Sequence, residues 1–479
     1  MYMEKTIKEL HEDLINKKIT SDELVKESLE KSHEVQDKLN AFVTICDDAT
    51  GSVNENILSG IPYVAKDNLS TKDILSTASS NTLKDYVPFF DATVIKRLKE
   101  KGAVLIGKSA MDELGMGGTG TTCHTGKVKN PWDITRITAG SSAGSAALVA
   151  SGVVPYALGS DTGDSIRKPA AYCGIVGYKP TYGAISRFGL FPFASSLDHV
   201  GVLTRSVRDA AIVVDNVVGI DENDMTTIDL EPNLTNNLNN DIKGKKIFYI
   251  KNLLDNLSDN EETNNILEEF KNTIKHLEEL GCTISGIDID IKLLNAIFPT
   301  YVCLSCAEAT SNDSNLTGII FGPKGNGENY IDMIKDHRTK GFSSLIKRRF
   351  VIGSYVLQKE NQEKYFLNAK RVRRLITNKM NELFKEFDVM IMPASGKIAP
   401  KFENVNEEIS GNEQVLENLM AIGNFGGYHS ITIPNGIVNE MPIGVNITGN
   451  IMKDKDVLNI AYKLESTYDF KGQIAKEVK

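Results

Sequence analysis

VVPYALGSDTGDSIRKPAAYCGIVGY, residues 153–178, is the stretch on which the fold turns. Its apolar runs, VVPYALGSD and CGIVGY, are short and show no alternating polar face. Each therefore reads as a strand in a sheet covered on both sides. The same pattern of short apolar runs between glycine-rich turns extends from Tyr63 to about Ser206, with YVA at 63–65 and AVLIG at 103–107. Helical patterns surround it. Residues 6–35 read as two helices, the second announced by the capping box Thr20-x-x-Glu23. The Asn-rich stretch at 233–244 is a polar loop leading into the strand-like KKIFYI at 245–250. An amphipathic helix follows, with Ser258-x-x-Glu261 as its cap, Ile266, Phe270, Ile274 and Leu277 as its apolar stripe, and Gly281 as its end. A longer helical pattern from about Ser354 to Phe387 runs into the strand VMIMP at 389–393, and a polar segment covers 401–415. Helices alternating with short buried strands predict an α/β fold.

Composition narrows the classes. With 479 residues, 41% hydrophobic and 24% charged, the chain is an ordinary globular mixture with ample material for a core. A net charge of −9 gives it no overall basic footprint for a phosphate backbone, so any nucleic acid in its function is expected to be held by another subunit. Charges interrupt the N-terminal MYMEKTIKELHEDL before an apolar core can form, which predicts no signal peptide, no membrane span and a cytoplasmic location. Six scattered cysteines do not make a disulfide framework, and Cys303 and Cys306 lack the second pair a zinc site requires.

Three motifs bear on chemistry. Residues 102–109, from Gly102 to Lys108 and Ser109, match GxxxxGK[ST], but the intervening AVLI belongs in a buried strand and follows the first glycine instead of preceding it. A plain strand is expected there. Residues 140–144, GSSAG, match GxSxG and would make Ser142 the nucleophile of an α/β-hydrolase with a downstream histidine among His199, His276, His337 and His429. Nothing in the surroundings of those histidines singles one out. The third constellation joins Lys66 in YVAKDN, Ser141 in AGSSAGSAA and Ser165 in ALGSDTGDSIRKPA, at intervals of 75 and 24 residues.

In order and spacing these three blocks resemble the amidase signature family. The resemblance implies a large central mixed β-sheet covered by helices on both faces, and one domain over residues 1–479. That domain would comprise an N-terminal helical segment (1–60), a catalytic core (61–230) and a remainder carrying specificity residues (231–479). It also implies that Ser165 attacks an amide carbonyl, that its proton passes through Ser141 to a neutral Lys66, and that a cis peptide bond joins Gly140 to Ser141. A lysine serves as a base only when burial or neighbouring donors bring its pKa well below the ordinary value. The turn DTGDS offers the consecutive N–H groups of Thr162, Gly163, Asp164 and Ser165 as an oxyanion hole.

Further stretches resemble one branch of the family, the amidase subunits of tRNA-dependent amidotransferases: TKDILSTASS (71–80), MGGTGTT (116–122), KNPWD (129–133), KPTYGAISRFGL (179–190), FASSLDHVG (193–201) and the run from Lys347 to Ile376. That branch implies glutamine as the ammonia source, held by Tyr301, Arg349 and Glu417. It implies no cofactor in this chain, a heterotrimer with B and C subunits, and a B subunit that holds the charged tRNA and uses ATP and magnesium. The alternatives are a stand-alone amidase of small amides, the Ser142 hydrolase and an inactive scaffold. The last is prompted by Asp164, which stands where the family's motif has a glycine. Its carboxylate would oppose an oxyanion, so it is expected to point away and pair with Arg167 or Lys168.

Overall fold

The computed structural model describes residues 2–405, 411–468 and 472–475; residues 406–410 of the polar segment lie outside them. Eleven strands form one mixed sheet: β1 (Phe42–Ile45), β2 (Pro62–Lys66), β3 (Val104–Ser109), β4 (Tyr156–Asp161), β5 (Val176–Lys179), β6 (His199–Thr204), β7 (Lys246–Ile250), β8 (Thr283–Ile287), β9 (Val389–Pro393), β10 (Ser430–Val438) and β11 (Met441–Gly449). Their order is β1-β3-β2-β4-β6-β5-β10-β11-β9-β7-β8. The pairs β3/β2, β2/β4, β9/β7 and β7/β8 are parallel, and the other six are antiparallel.

The sheet is buried on both sides, as the short apolar runs require. Along β2, Tyr63 and Ala65 join one hydrophobic cluster while Val64 joins another, and along β4 Tyr156 and Leu158 separate from Ala157 in the same way. This is the period-two alternation of a strand with apolar partners on each face. The first cluster draws on the N-terminal helix Ile7–Ile15 and the helices Val207–Asp215 and Asp454–Glu465. The second draws on the helices Ser21–Leu39 and Ala143–Ala150. Among the described residues, no helix is long and apolar enough to cross a membrane.

Local signals held at some ends and failed at others. Thr20 and Glu23 form the expected capping box. The residues of the P-loop-like pattern make strand β3, with Lys108 buried and donating to Leu69 O and Ser76 Oγ. The helix Glu261–Glu279 ends before Gly281, whose φ is +85°, but Asn260 caps it instead of Ser258, which bonds Glu413. The expected 354–387 helix is two. One spans Ser344–Leu357 and another Asn368–Glu386, with Gln358 extended between them and the Asn361 side chain capping Tyr355 O at 2.9 Å. A side-chain amide that takes a helix carbonyl competes with the helix ladder. The 1–60 segment is not wholly helical, because it contains the edge strand β1.

Candidate active site

Parallel neighbours deliver their carboxyl ends to the same edge of a sheet, where open α/β sheets place their ligands. β2 pairs with β4 in register Ala65↔Leu158, so Lys66 at the end of β2 meets the DTGDS turn that follows β4. The third segment reaches this edge as the lead-in to the wholly buried helix Ala143–Ala150, with a cis peptide bond between Gly140 and Ser141. Gly140 has no room for a side chain: a Cβ there would lie 1.9 Å from Asp112 Oδ2. Asp112 in turn accepts the N–H groups of Thr119, Gly120, Thr121 and Thr122, and its own N–H donates to Ser141 O.

Lys66 is fully buried. Its Nζ lies 2.8 Å from Ser141 Oγ, 2.9 Å from Ser142 Oγ, 2.9 Å from Ser160 Oγ and 3.1 Å from Ser160 O. An ammonium has three protons for these four oxygens, whereas a neutral amine can accept from one of the hydroxyls. Burial lowers its pKa to about 7 against the opposing pull of Asp161, Asp112, Asp198 and Asp164. Near neutrality the amine is therefore available as a base.

Ser165 is buried at the start of the turn leading to the helix Arg167–Cys173. Among the described residues its Oγ makes no hydrogen bond, and the N–H groups of Thr162, Gly163, Asp164 and Ser165 find no acceptor. Four neighbouring free donors suit a developing oxyanion. The turn is held from beneath. Arg167 is wholly buried and clamps both Asp161 oxygens, Gly163 O, Met420 O and Asn424 Oδ1. Burial alone would raise the Asp161 pKa, but the Arg167 charge and hydrogen bonds hold this carboxyl below the usual range. Ser160, Asp112 and the Asp161–Arg167–Asn424 network escaped the sequence reading. The available signal was an Asp and an Arg set among apolar residues in DTGDSIR, which must be paired if buried.

The expected glutamine residues divide. Lys347 and Arg348 face solvent, while Arg349 on the same helix turns inward, 5.5 Å from the Phe193 ring centroid. Among the described residues Arg349 pairs with no carboxylate, and its buried Nε has no acceptor. Tyr301 lies against the nucleophile turn; a Cβ on Gly163 would be 3.0 Å from its ring carbons Cε2 and Cζ, so this close approach requires glycine. Glu417 does not present a free carboxylate. It pairs with Lys168 at 2.8 Å and accepts Ser395 Oγ at 2.6 Å and Gly396 N at 2.9 Å.

Asp164 also departs from expectation. Arg167 is taken by Asp161 and Lys168 by Glu417 and Ala394 O, so neither pairs with Asp164. The residue is not in the left-handed region, and glycine's conformational freedom is not what the turn uses at this position. Ser142 is no elbow nucleophile here. Its Oγ contacts Lys66 and Ser160 O, and His199, His276 and His337 bond Leu197 O, Thr467 and Pro323 O instead.

A serine beside free backbone donors, with a second serine on a neutral buried lysine and no histidine, is the equipment of an acyl-transfer hydrolase that uses lysine as its base. The chain belongs to the amidase family: the family model, described as Amidase, matches residues 23–458. It is similar to the A subunit of the glutamyl-tRNA(Gln) amidotransferase of Thermoanaerobacter pseudethanolicus, 38% identical over 98% of this chain and 97% of that one. The protein of the same name from Fusobacterium nucleatum is 37% identical, with 96% of each chain covered. Among solved structures, the A subunit of the glutamyl-tRNA(Gln) amidotransferase from Thermotoga maritima superposes with a TM-score of 0.82 at 33% identity, over 100% of this chain and 99% of that one.

Activity limited by deprotonation of Lys66 should rise with pH and level off above about 7. Below that value kcat/KM for an amide is expected to fall about tenfold per pH unit. A rate unchanged from pH 5 to 8 would remove Lys66 as the base.

Proposed function

We propose that the chain acts as one amidase domain that hydrolyses glutamine and supplies ammonia to a tRNA-dependent amidotransferase. The observation that carries the reading is the Lys66–Ser141 contact at the foot of the Ser165 turn, beside an inward arginine with no carboxylate partner. Rotation about the Ser165 side chain closes the relay. Ser165 Oγ attacks the side-chain carbonyl carbon of glutamine, its proton passes to Ser141 as Ser141 gives its own to Lys66, and the carbonyl oxygen takes the charge under the N–H groups of Thr162 to Ser165. When the C–N bond breaks, the relay runs backwards and protonates the leaving ammonia. Water then attacks the glutamyl ester, giving up its proton along the same path and freeing glutamate.

Arg349 is suited to the α-carboxylate, which a planar guanidinium can take in two parallel hydrogen bonds, and Tyr301 forms the wall between that cation and the nucleophile turn. The relatives' names support the rest of the reading. Ammonia released here is passed to a B subunit that holds Glu-tRNA(Gln) or Asp-tRNA(Asn) and activates its side-chain carboxylate with ATP and magnesium, and a C subunit completes a cytoplasmic heterotrimer. The chain itself contributes no cofactor.

The test is ammonia release from glutamine by this chain, alone and with candidate B and C subunits. Release that increases in the complex and amidates the charged tRNA is expected. A chain active on simple amides that ignores glutamine in every combination is a stand-alone amidase. Arg349→Ala should raise the KM for glutamine about 10- to 100-fold, the range of a hydrogen bond to a charged group, with a much smaller effect on amides that lack the carboxylate. Equal losses on both would take Arg349 out of the specificity site.

A further inference from the structure

We propose that Asp164, and not Glu417, recognises the α-ammonium of the substrate, so that Asp164 and Arg349 together select a zwitterionic amide. The inference rests on the reading of glutamine as substrate and deepens it.

A carboxylate removed from water is normally matched by a cation or by donors. Asp164 is only partly exposed, yet among the described residues its side chain has neither, although two cations follow it within four residues. Both are committed. Arg167 holds Asp161, Gly163 O and Asn424, and Lys168 holds Glu417 and Ala394 O. Glu417 is in the opposite condition, with both oxygens occupied. To take an ammonium it would have to release Lys168, whose side chain is only 5% exposed, and leave that charge uncompensated.

Across the site Arg349 is the complementary case, a guanidinium with no carboxylate partner. Tyr301 stands between the two. Its ring packs on Gly163, next to Asp164, and the charges of both Arg349 and Asp164 act on its hydroxyl. Uncompensated charges of opposite sign flanking one ring beside the nucleophile match the two charges of an α-amino acid. The other groups facing Asp164 are accounted for: Lys168 and Arg167 favour its ionised form, Asp161 and Glu417 oppose it, and burial, the largest influence, brings its pKa up to about 6. Its negative charge also acts on Lys66.

The experiment compares ammonia release from L-glutamine and from 4-carbamoylbutanoate, which is glutamine without the α-ammonium, using the full chain with its candidate partner subunits. The wild-type protein should prefer glutamine in kcat/KM by about 10- to 100-fold. In Asp164→Asn the ratio should fall to within about threefold of unity, and Asp164→Glu, which keeps the charge, should recover part of it. Asp164→Asn should also move the acid limb of the pH profile to lower pH, because Lys66 loses a neighbouring anion. A second arm needs no variant. In the wild-type protein the ratio should decline as pH falls through about 6, while protonation of Lys66 affects both substrates and cancels. A ratio unchanged in Asp164→Asn, or flat from pH 5 to 8 in the wild type, overturns the proposal and leaves the glutamine reading standing. Failure on glutamine combined with a preference for glycinamide over acetamide that Asp164→Asn abolishes sinks the glutamine reading and keeps Asp164 as the ammonium site. A wild-type complex inert toward every amide and revived by Asp164→Gly refutes both, since Asp164 would then be blocking the oxyanion hole.

Discussion

Ser165→Ala and Lys66→Ala should each reduce ammonia release by about 10⁴-fold or more, and the double variant should be little worse than either single one. Nucleophile and base act as a unit, so the loss of one removes the use of the other. Ser142→Ala should be milder. Its hydroxyl is one of four oxygens on Lys66 Nζ, and the remaining three still hold the amine. The comparison separates two readings of GSSAG. Were Ser142 the nucleophile, Ser142→Ala would be inactive and Ser165→Ala would work. Steady-state rates for the four proteins on one amide decide the matter.

Arg167→Met should destabilise the protein by about 3–5 kcal/mol at pH 7, the usual result of stranding one partner of a buried ion pair. Asp161 is wholly buried and loses its bidentate partner. Gly163 O, Met420 O and Asn424 Oδ1 lose a donor at the same time. The deficit should depend on pH in a definite direction. In the wild-type protein Asp161 keeps its charge to low pH because its pKa is held down, so its stabilising contribution is present above the unfolded pKa of about 3.9 and disappears only as pH falls through the lower folded value. In the variant burial raises that pKa, Asp161 protonates readily in mild acid, and the gap between the two proteins narrows as pH is lowered from 7 toward 5. Urea midpoints at the two pH values measure this. A loss under 1 kcal/mol, or a gap that widens in acid, would mean that the clamp is not what supports the turn.

What could be read from the chain and what could not follow from how far each feature reaches. The catalytic serines and the lysine sit in short motifs, because the chemistry needs given residue types at the ends of neighbouring strands. The apolar runs at 63–65, 103–107, 153–161 and 173–178 announced β2 to β5 for the same local reason. Partner choice is not local. That Lys168 goes to Glu417 is decided by a contact across 249 positions, and once it is made Asp164 is left alone, the reverse of the pairing its sequence neighbours invite. Ser258 lost the cap of its helix for a comparable reason, since Glu413 takes its hydroxyl and Asn260 lies closer to the first turn. The basic triplet at 347–349 was ambiguous in the sequence because only the helix phase decides which of three adjacent cations faces the site, and that phase is set by packing of Ile346, Phe350 and Gly353. The edge strand β1 was hidden by its shortness, four residues between a long helix and a polar loop.

The most direct test of the central claim is to stop the reaction with glutamine early by acid quench and map the acylated peptide by mass spectrometry. A glutamyl ester on the peptide that carries Ser165, absent from Ser165→Ala, is the predicted result, whereas an ester on Ser142, or none in a complex that releases ammonia rapidly, would contradict it.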